Sequence, residues 1–206
     1  MNSTKTAKNT SRTEQLRAVA EHPSTPALER DLARRAMARM LQRAAREDGT
    51  PPAAWIPKRQ GEMYQATRRS PLTEVTKLIR GEIQLLRKLG KQAQPDTGEG
   101  DASEPIGDAP AEIKISVRQP HHGSINIAVT AIPENWGWRR KTDDDGYEHW
   151  DQTDALRQLG NELYALASAY NYDDSDVVVD HYDQRYYLLV DAAEPGSEQA
   201  SHGIGG

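Results

Sequence analysis

A chain of 206 residues with 36% hydrophobic content, a net charge of −5 and no Cys has room for one or two small cores, and the missing thiols exclude disulfides and thiolate metal sites, making a reducing cytoplasm the expected compartment. The balance is uneven: residues 1–100 hold 19 Lys and Arg against 11 Asp and Glu, residues 101–206 hold 7 against 20, so a basic half and an acidic half invite different partners. A mean hydropathy of −0.83 predicts disordered ends, and with no run near the ~20 apolar residues of a membrane span and no signal-peptide core in MNSTKTAKNTSRTEQ, a soluble protein without a membrane partner is expected.

Residues 1–12 are polar and without period, and read as a disordered arm. A helical segment covers 13–50. In PSTPALERDLARRAMARMLQRAARED, Thr25 can cap, Pro26 suits the first helical position, and Leu28, Leu32, Ala36, Met40 and Ala44 recur every four residues, predicting an amphipathic helix over 26–46. Gly49 and Pro51-Pro52 end it. A connector with Trp55, Ile56 and Tyr64 follows, then a helix capped by Ser70, with Pro71 first and Val75, Leu78, Ile79, Leu85, Leu86 and Leu89 as its buried face, stopping at Gly90. The stretch 92–111, KQAQPDTGEGDASEPIGDAP, reads as a flexible linker inside an α+β domain over 51–190.

From Ile113 the period becomes two. EIKISVRQ and SINIAVTAI alternate around PHHG, which predicts a β-hairpin. NWGWRRKTDDDG reads as a loop between short strand pieces and GYEHW as an edge strand. Asp151 is placed as the cap of a third helix running to Asn171, with Gly160 a weak point or a close-packing site. DVVVDH and QRYYLLV make a second hairpin, and 191–206 reads as a disordered tail. The order predicts an α+β fold: an antiparallel sheet of about four strands in two hairpins, covered by helices and preceded by an N-terminal helical segment.

SPLTEVTKLIRGEI, IKISVRQ and GSINIAV together resemble the twenty-ninth of the large polyvalent protein-associated domain families, found in proteins of phages, plasmids and conjugative elements. AYNYDDSDVVVDHYDQRYYLLV is similar to the ending seen in actinobacterial and actinophage relatives, and WIPKRQGEMYQATRR resembles the Trp-Pro, Tyr and basic segment before their Lys-Leu-Ile-Arg helix. The match covers roughly 55–190 by pattern. LRAVAEHPSTPALERDLARRAMARML is similar to a short helical unit of the same mobile-element proteins. The chain departs from the family in lacking Phe, with Tyr186 and Tyr187 standing in. The resemblance implies context rather than chemistry: action against host defence, or help in replicating or transferring the element's DNA.

Several side-chain groups could carry chemistry. Asp180 and Asp183 flank a turn with His181, and neighbouring carboxylates can separate their pKa values for acid–base work; turn chemistry accounts for Asp there too, and no catalytic set is assigned. His121, His122 and His149 could converge with these Asp on a metal, but the spacing matches no zinc signature, and TDDDGYEHWDQ places Gln152 where a calcium loop needs Glu. No metal or cofactor is assigned. Arg35, Arg39 and Arg43 share one helix face with Arg46 one step on, and Arg68, Arg69, Lys77 and Arg80 could extend it as a ridge for phosphates. A solvated face, or one docked on the chain's own acidic half, accounts for the same spacing. The expected function is a non-enzymatic accessory protein of a phage or mobile element that binds nucleic acid through this basic helical face, with a host protein the next partner. Its alternatives are an acidic DNA mimic acting in counter-defence and a hydrolase built on Asp180, Asp183, His181 and His149.

Overall fold

The computed structural model describes residues 3–47, 60–93, 105–173, 183–197 and 199–204, with side chains for 12–38, 60–91, 105–173, 183–197 and 199–204. In chain order these form α1 (Ser3–Glu21), α2 (Ala27–Glu47), α3 (Tyr64–Thr67), α4 (Leu72–Ala93), α5 (Pro105–Asp108), β1 (Lys114–Arg118), β2 (Ser124–Thr130), α6 (Glu134–Gly137), β3 (Trp138–Thr142), β4 (Glu148–Gln152), α7 (Asp154–Ser168), β5 (Tyr187–Ala193) and β6 (Ala200–Gly203). The fold is α+β, as the switch from helical to alternating period requires.

Periodicity sets the helical layer. Leu16 and Ala20 of α1 meet Leu32, Ala33 and Ala36 of α2, and α2 rests on α4, whose Val75, Ile79, Ile83 and Leu86 are buried at helical spacing. Three boundaries differ from the sequence reading. The expected arm 1–12 enters α1 at Ser3, because α1 is anchored by Leu16 and by Arg12, which is 7% exposed and donates to Asp108. Helix α4 runs through Gly90 to Ala93. A Cβ at Gly90 would lie 2.0 Å from the Gly107 carbonyl oxygen, so this glycine permits close approach of α5 rather than a stop. The expected linker 92–111 therefore holds a packed part: Ile106 and Ala109 are buried, and Arg87 donates to the Ala109 and Pro110 carbonyls. Residues 94–104 lie outside the described residues.

The sheet has the order β1-β2-β5-β6. β1 and β2 form the expected antiparallel hairpin, but β5 runs parallel to β2, with Ile125 opposite Leu188 and Ile127 opposite Val190, and β6 closes antiparallel on β5. The purely antiparallel pairing is thus corrected to a mixed sheet: the route from β2 to β5 passes through α7, a crossover that returns the chain in the same direction. The partner expected for QRYYLLV, DVVVDH, lies outside the described residues. GYEHW does not edge this sheet but pairs with β3 in a separate two-stranded ribbon. Thr153, not Asp151, caps α7, its hydroxyl accepting from the Leu156 amide at 3.2 Å. The expected disordered tail supplies β6 and buried Ile204, whose carbonyl would sit 1.8 Å from a Cβ at Gly160. Gly160 is a close-packing site.

One face of the sheet is dry, while the other exposes Lys114, Arg118, Tyr187 and Leu189. Ile125, Ile127, Val129, Val190 and Ala192 point into the helical layer, where α4 packs on β1 and α7 on β5. Two tyrosines are carried fully into this core with their hydroxyls satisfied, as burial demands. Tyr186 donates to the Ala167 carbonyl at 2.6 Å, and Tyr170 donates to Glu82 at 2.9 Å. Asn171 acts as a surrogate backbone: its Nδ2 donates to the Tyr186 carbonyl and its Oδ1 accepts from the Tyr186 amide. These contacts give the AYN triplet, Ala169 to Asn171, its structural meaning.

Candidate nucleic-acid interface

Arginines divide sharply between the interior and the surface. Arg35, expected to head a phosphate-binding ridge, turns inward: its side chain is 17% exposed, pairs with Asp31 one turn back, and bonds the hydroxyl of Tyr170, which itself donates to buried Glu82. It joins α2 to α4 and α7, so the ridge is corrected at its first residue. Arg39, Arg43 and Arg46 belong to α2, with side chains outside the described residues. Arg185 is likewise structural, donating to Thr67 Oγ1 and to the Thr67, Tyr170 and Ser70 carbonyls. A guanidinium suits this work because its five donors can collect several loop carbonyls at once.

Several exposed cations lie toward one end of the sheet. Arg185 ties this end to the α3–α4 junction, where Arg68 and Arg69 stand exposed. The Tyr187 amide donates to the Gly123 carbonyl in the β1–β2 turn, beside exposed His121 and His122. Arg80 donates to the Val117 carbonyl at 2.7 Å, next to exposed Arg118. Arg68, Arg69 and Arg118 form no ion pair among the described residues. Among the described residues Lys77 pairs with Glu74 alone, at 3.5 Å with both well exposed, a contact of about 0.3–0.5 kcal/mol that leaves it available to phosphate.

A groove of about 510 Å³ opens at this end, lined by Gln60, Tyr64, Gln65, Arg68, Asp183 and Gln184, among others. Its wall is aromatic: the Tyr64 and Tyr172 rings stack at 5.4 Å, with Arg185 over Tyr64 at 5.7 Å. Arg68 supplies a cation to a floor of side-chain amides. Asp183, the described member of the expected acid pair, accepts from the Tyr172 hydroxyl at 3.2 Å, while Asp180 and His181 lie outside the described residues.

The expected metal ligands do not meet. His121 and His122 sit on the β1–β2 turn and His149 on the separate ribbon, opposite Lys141, and among the described residues no group of three His, Asp or Glu could hold an ion. In TDDDG, Asp143 Oδ1 accepts from the amides of Asp145 and Tyr147, and Gly146 takes a φ of 86°. This is turn chemistry. The two acidic side chains of β4 that meet β3 are answered across strands, Asp151 by Arg139 at 3.0 Å and Glu148 by Arg140 at 3.5 Å; the Arg139 hydrogen bond holds the Asp151 carboxyl below its ordinary range.

The exposed Tyr187 and Leu189 patch and the groove escaped the sequence reading. Alternation in QRYYLLV signalled that one of Tyr186 and Tyr187 must face away from the core, but which face stayed open depends on where the helices dock. No family model, curated protein or solved structure matches the chain. Among the described residues, no helix is long and apolar enough to cross a membrane.

Proposed function

We propose that this chain is a non-enzymatic accessory protein of a phage or mobile element that binds nucleic acid, through the cationic end of its sheet rather than along α2. The observation that carries this reading is a groove walled by stacked tyrosines and lined by Arg68, with Arg69 next to it in sequence and Arg118 at the end of β1, all three exposed and without carboxylate partners among the described residues. Cations left open can displace the counterions of phosphates, and the aromatic wall offers a surface for bases. The mobile-element context rests on the sequence resemblance alone. The acidic-mimic alternative has less support, because the ribbon carboxylates Asp151 and Glu148 already face Arg139 and Arg140.

Gel retardation with mixed DNA and RNA probes at about 50 mM salt tests the reading. Binding is expected in the wild type and at least tenfold weaker when Arg68, Arg69 and Arg118 are all changed to Ala. Retardation of neither probe would overturn it.

A further inference from the structure

We infer that the exposed patch of Tyr187, Leu189 and Arg118 on the four-stranded sheet is a seat for the unstacked bases of a single strand, so that the ligand class is single-stranded RNA or DNA rather than duplex. This inference rests on the nucleic-acid reading above and assigns it a substrate. The register places Leu189, Asn126 and Arg118 in one row across β5, β2 and β1, and Tyr187 beside Ser124 in the next. Side chains of this parity point away from the core, since their neighbours Leu188, Val190, Ile125 and Ile127 turn inward. Tyr187 and Leu189 are therefore left in solvent, 60% and 52% exposed. An exposed Tyr and Leu two residues apart on a central strand forfeit apolar burial that any covering element would recover.

Charge complementarity selects the occupant. The outer strand β1 presents Lys114 and Arg118 on the same face, exposed and without ion pairs among the described residues. Asp191, next on the same face of β5, is only 6% exposed and bounds the exposed patch on that side. Cations along an edge and an aromatic ring toward the centre match a polymer with an anionic backbone and flat apolar side groups. Phosphates follow β1 while a base stacks on Tyr187 and another lies on Leu189. A duplex keeps its base faces hidden and could offer such a surface only its phosphates.

The test uses the full chain and fluorescence anisotropy at about 50 mM salt, with 12-nucleotide oligo(dT), oligo(U) and a mixed-sequence duplex, alongside analytical ultracentrifugation. The single strands are expected to bind at least tenfold tighter than the duplex, by an amount about tenfold smaller in Tyr187→Ala, unchanged in Tyr187→Phe, with duplex affinity the same in all three. Comparing oligo(dT) with oligo(U) separates the two sugar chemistries, and preference for either supports the inference. Equal binding of duplex and single strand, with Tyr187→Ala inert and Arg118→Ala weakening both, would overturn the single-strand inference while leaving the nucleic-acid reading intact. Binding to no probe would end both. A dimer that Tyr187→Ala dissociates would overturn the inference by showing that a second copy covers the face.

Discussion

Tyr170 donates to a carboxylate that is 1% exposed and receives a guanidinium on its other side, so its hydroxyl cannot be removed without leaving buried charge less well satisfied. Tyr170→Phe should destabilise the fold by about 1–3 kcal/mol, read as a lower midpoint in urea with an unchanged slope; an unshifted midpoint would show that Arg35 and Glu82 compensate directly. Asp191 gives a pH signature. Desolvation raises its carboxyl above the ordinary value, against the opposing hydrogen bond from Asn126. The folded state thus holds this proton to higher pH than the unfolded chain, and the stability it contributes is present below the ordinary carboxylate range and lost as pH rises through the folded value. Asp191→Asn should therefore gain stability relative to wild type as pH is raised from 3 to 7, measured by thermal melts across that interval. Such roles were only half legible. A spacing of four announces that Arg35 shares a face with Arg39, yet the direction of that face depends on Tyr170 and Glu82, residues more than 40 positions away.

Glycines marked element contacts better than element ends. Gly90 and Gly160 both sit inside helices, where glycine costs about 1 kcal/mol relative to Ala, and both face a backbone carbonyl at a separation no side chain tolerates. Gly160→Ala should reverse the usual helix preference, lowering the melting temperature by several degrees and accelerating amide exchange in β6 ahead of α7; a gain in stability would show that Ile204 can move aside at little cost. The β1–β2 hairpin was readable because alternation and a short turn are local. The parallel β2–β5 pairing was not: an apolar run such as YYLLV says that it will be buried, but its partner depends on where α7 returns the chain. Packing around Arg87 hid the docking of α5 for the same reason, since a Pro- and Gly-rich stretch carries little apolar signal of its own.

Across the molecule, the division between a basic first half and an acidic second half was plain in the composition, but folding redistributes it. Arg12 and Arg35 are spent on Asp108 and Asp31, Arg139 and Arg140 pair with Asp151 and Glu148 of their own ribbon, and the cations left at the sheet end come from both halves. If Arg68, Arg69, Arg118 and Lys114 each contact a phosphate of a single strand, the affinity should fall about 50-fold between 50 and 200 mM salt, with a log–log slope near −3 that flattens by about 0.7 for each Ala substitution. A slope near zero would assign the same surface to a partner held by something other than phosphate charge.

The carbonyl of Ile204 lies against the glycine notch of α7 with its side chain enclosed. An affinity handle or fluorescent reporter joined at the C-terminus is separated from that buried anchor by two residues, Gly205 and Gly206. A handle placed there without a spacer would pull β6 from its seat, so labels for the experiments above belong at the opposite terminus.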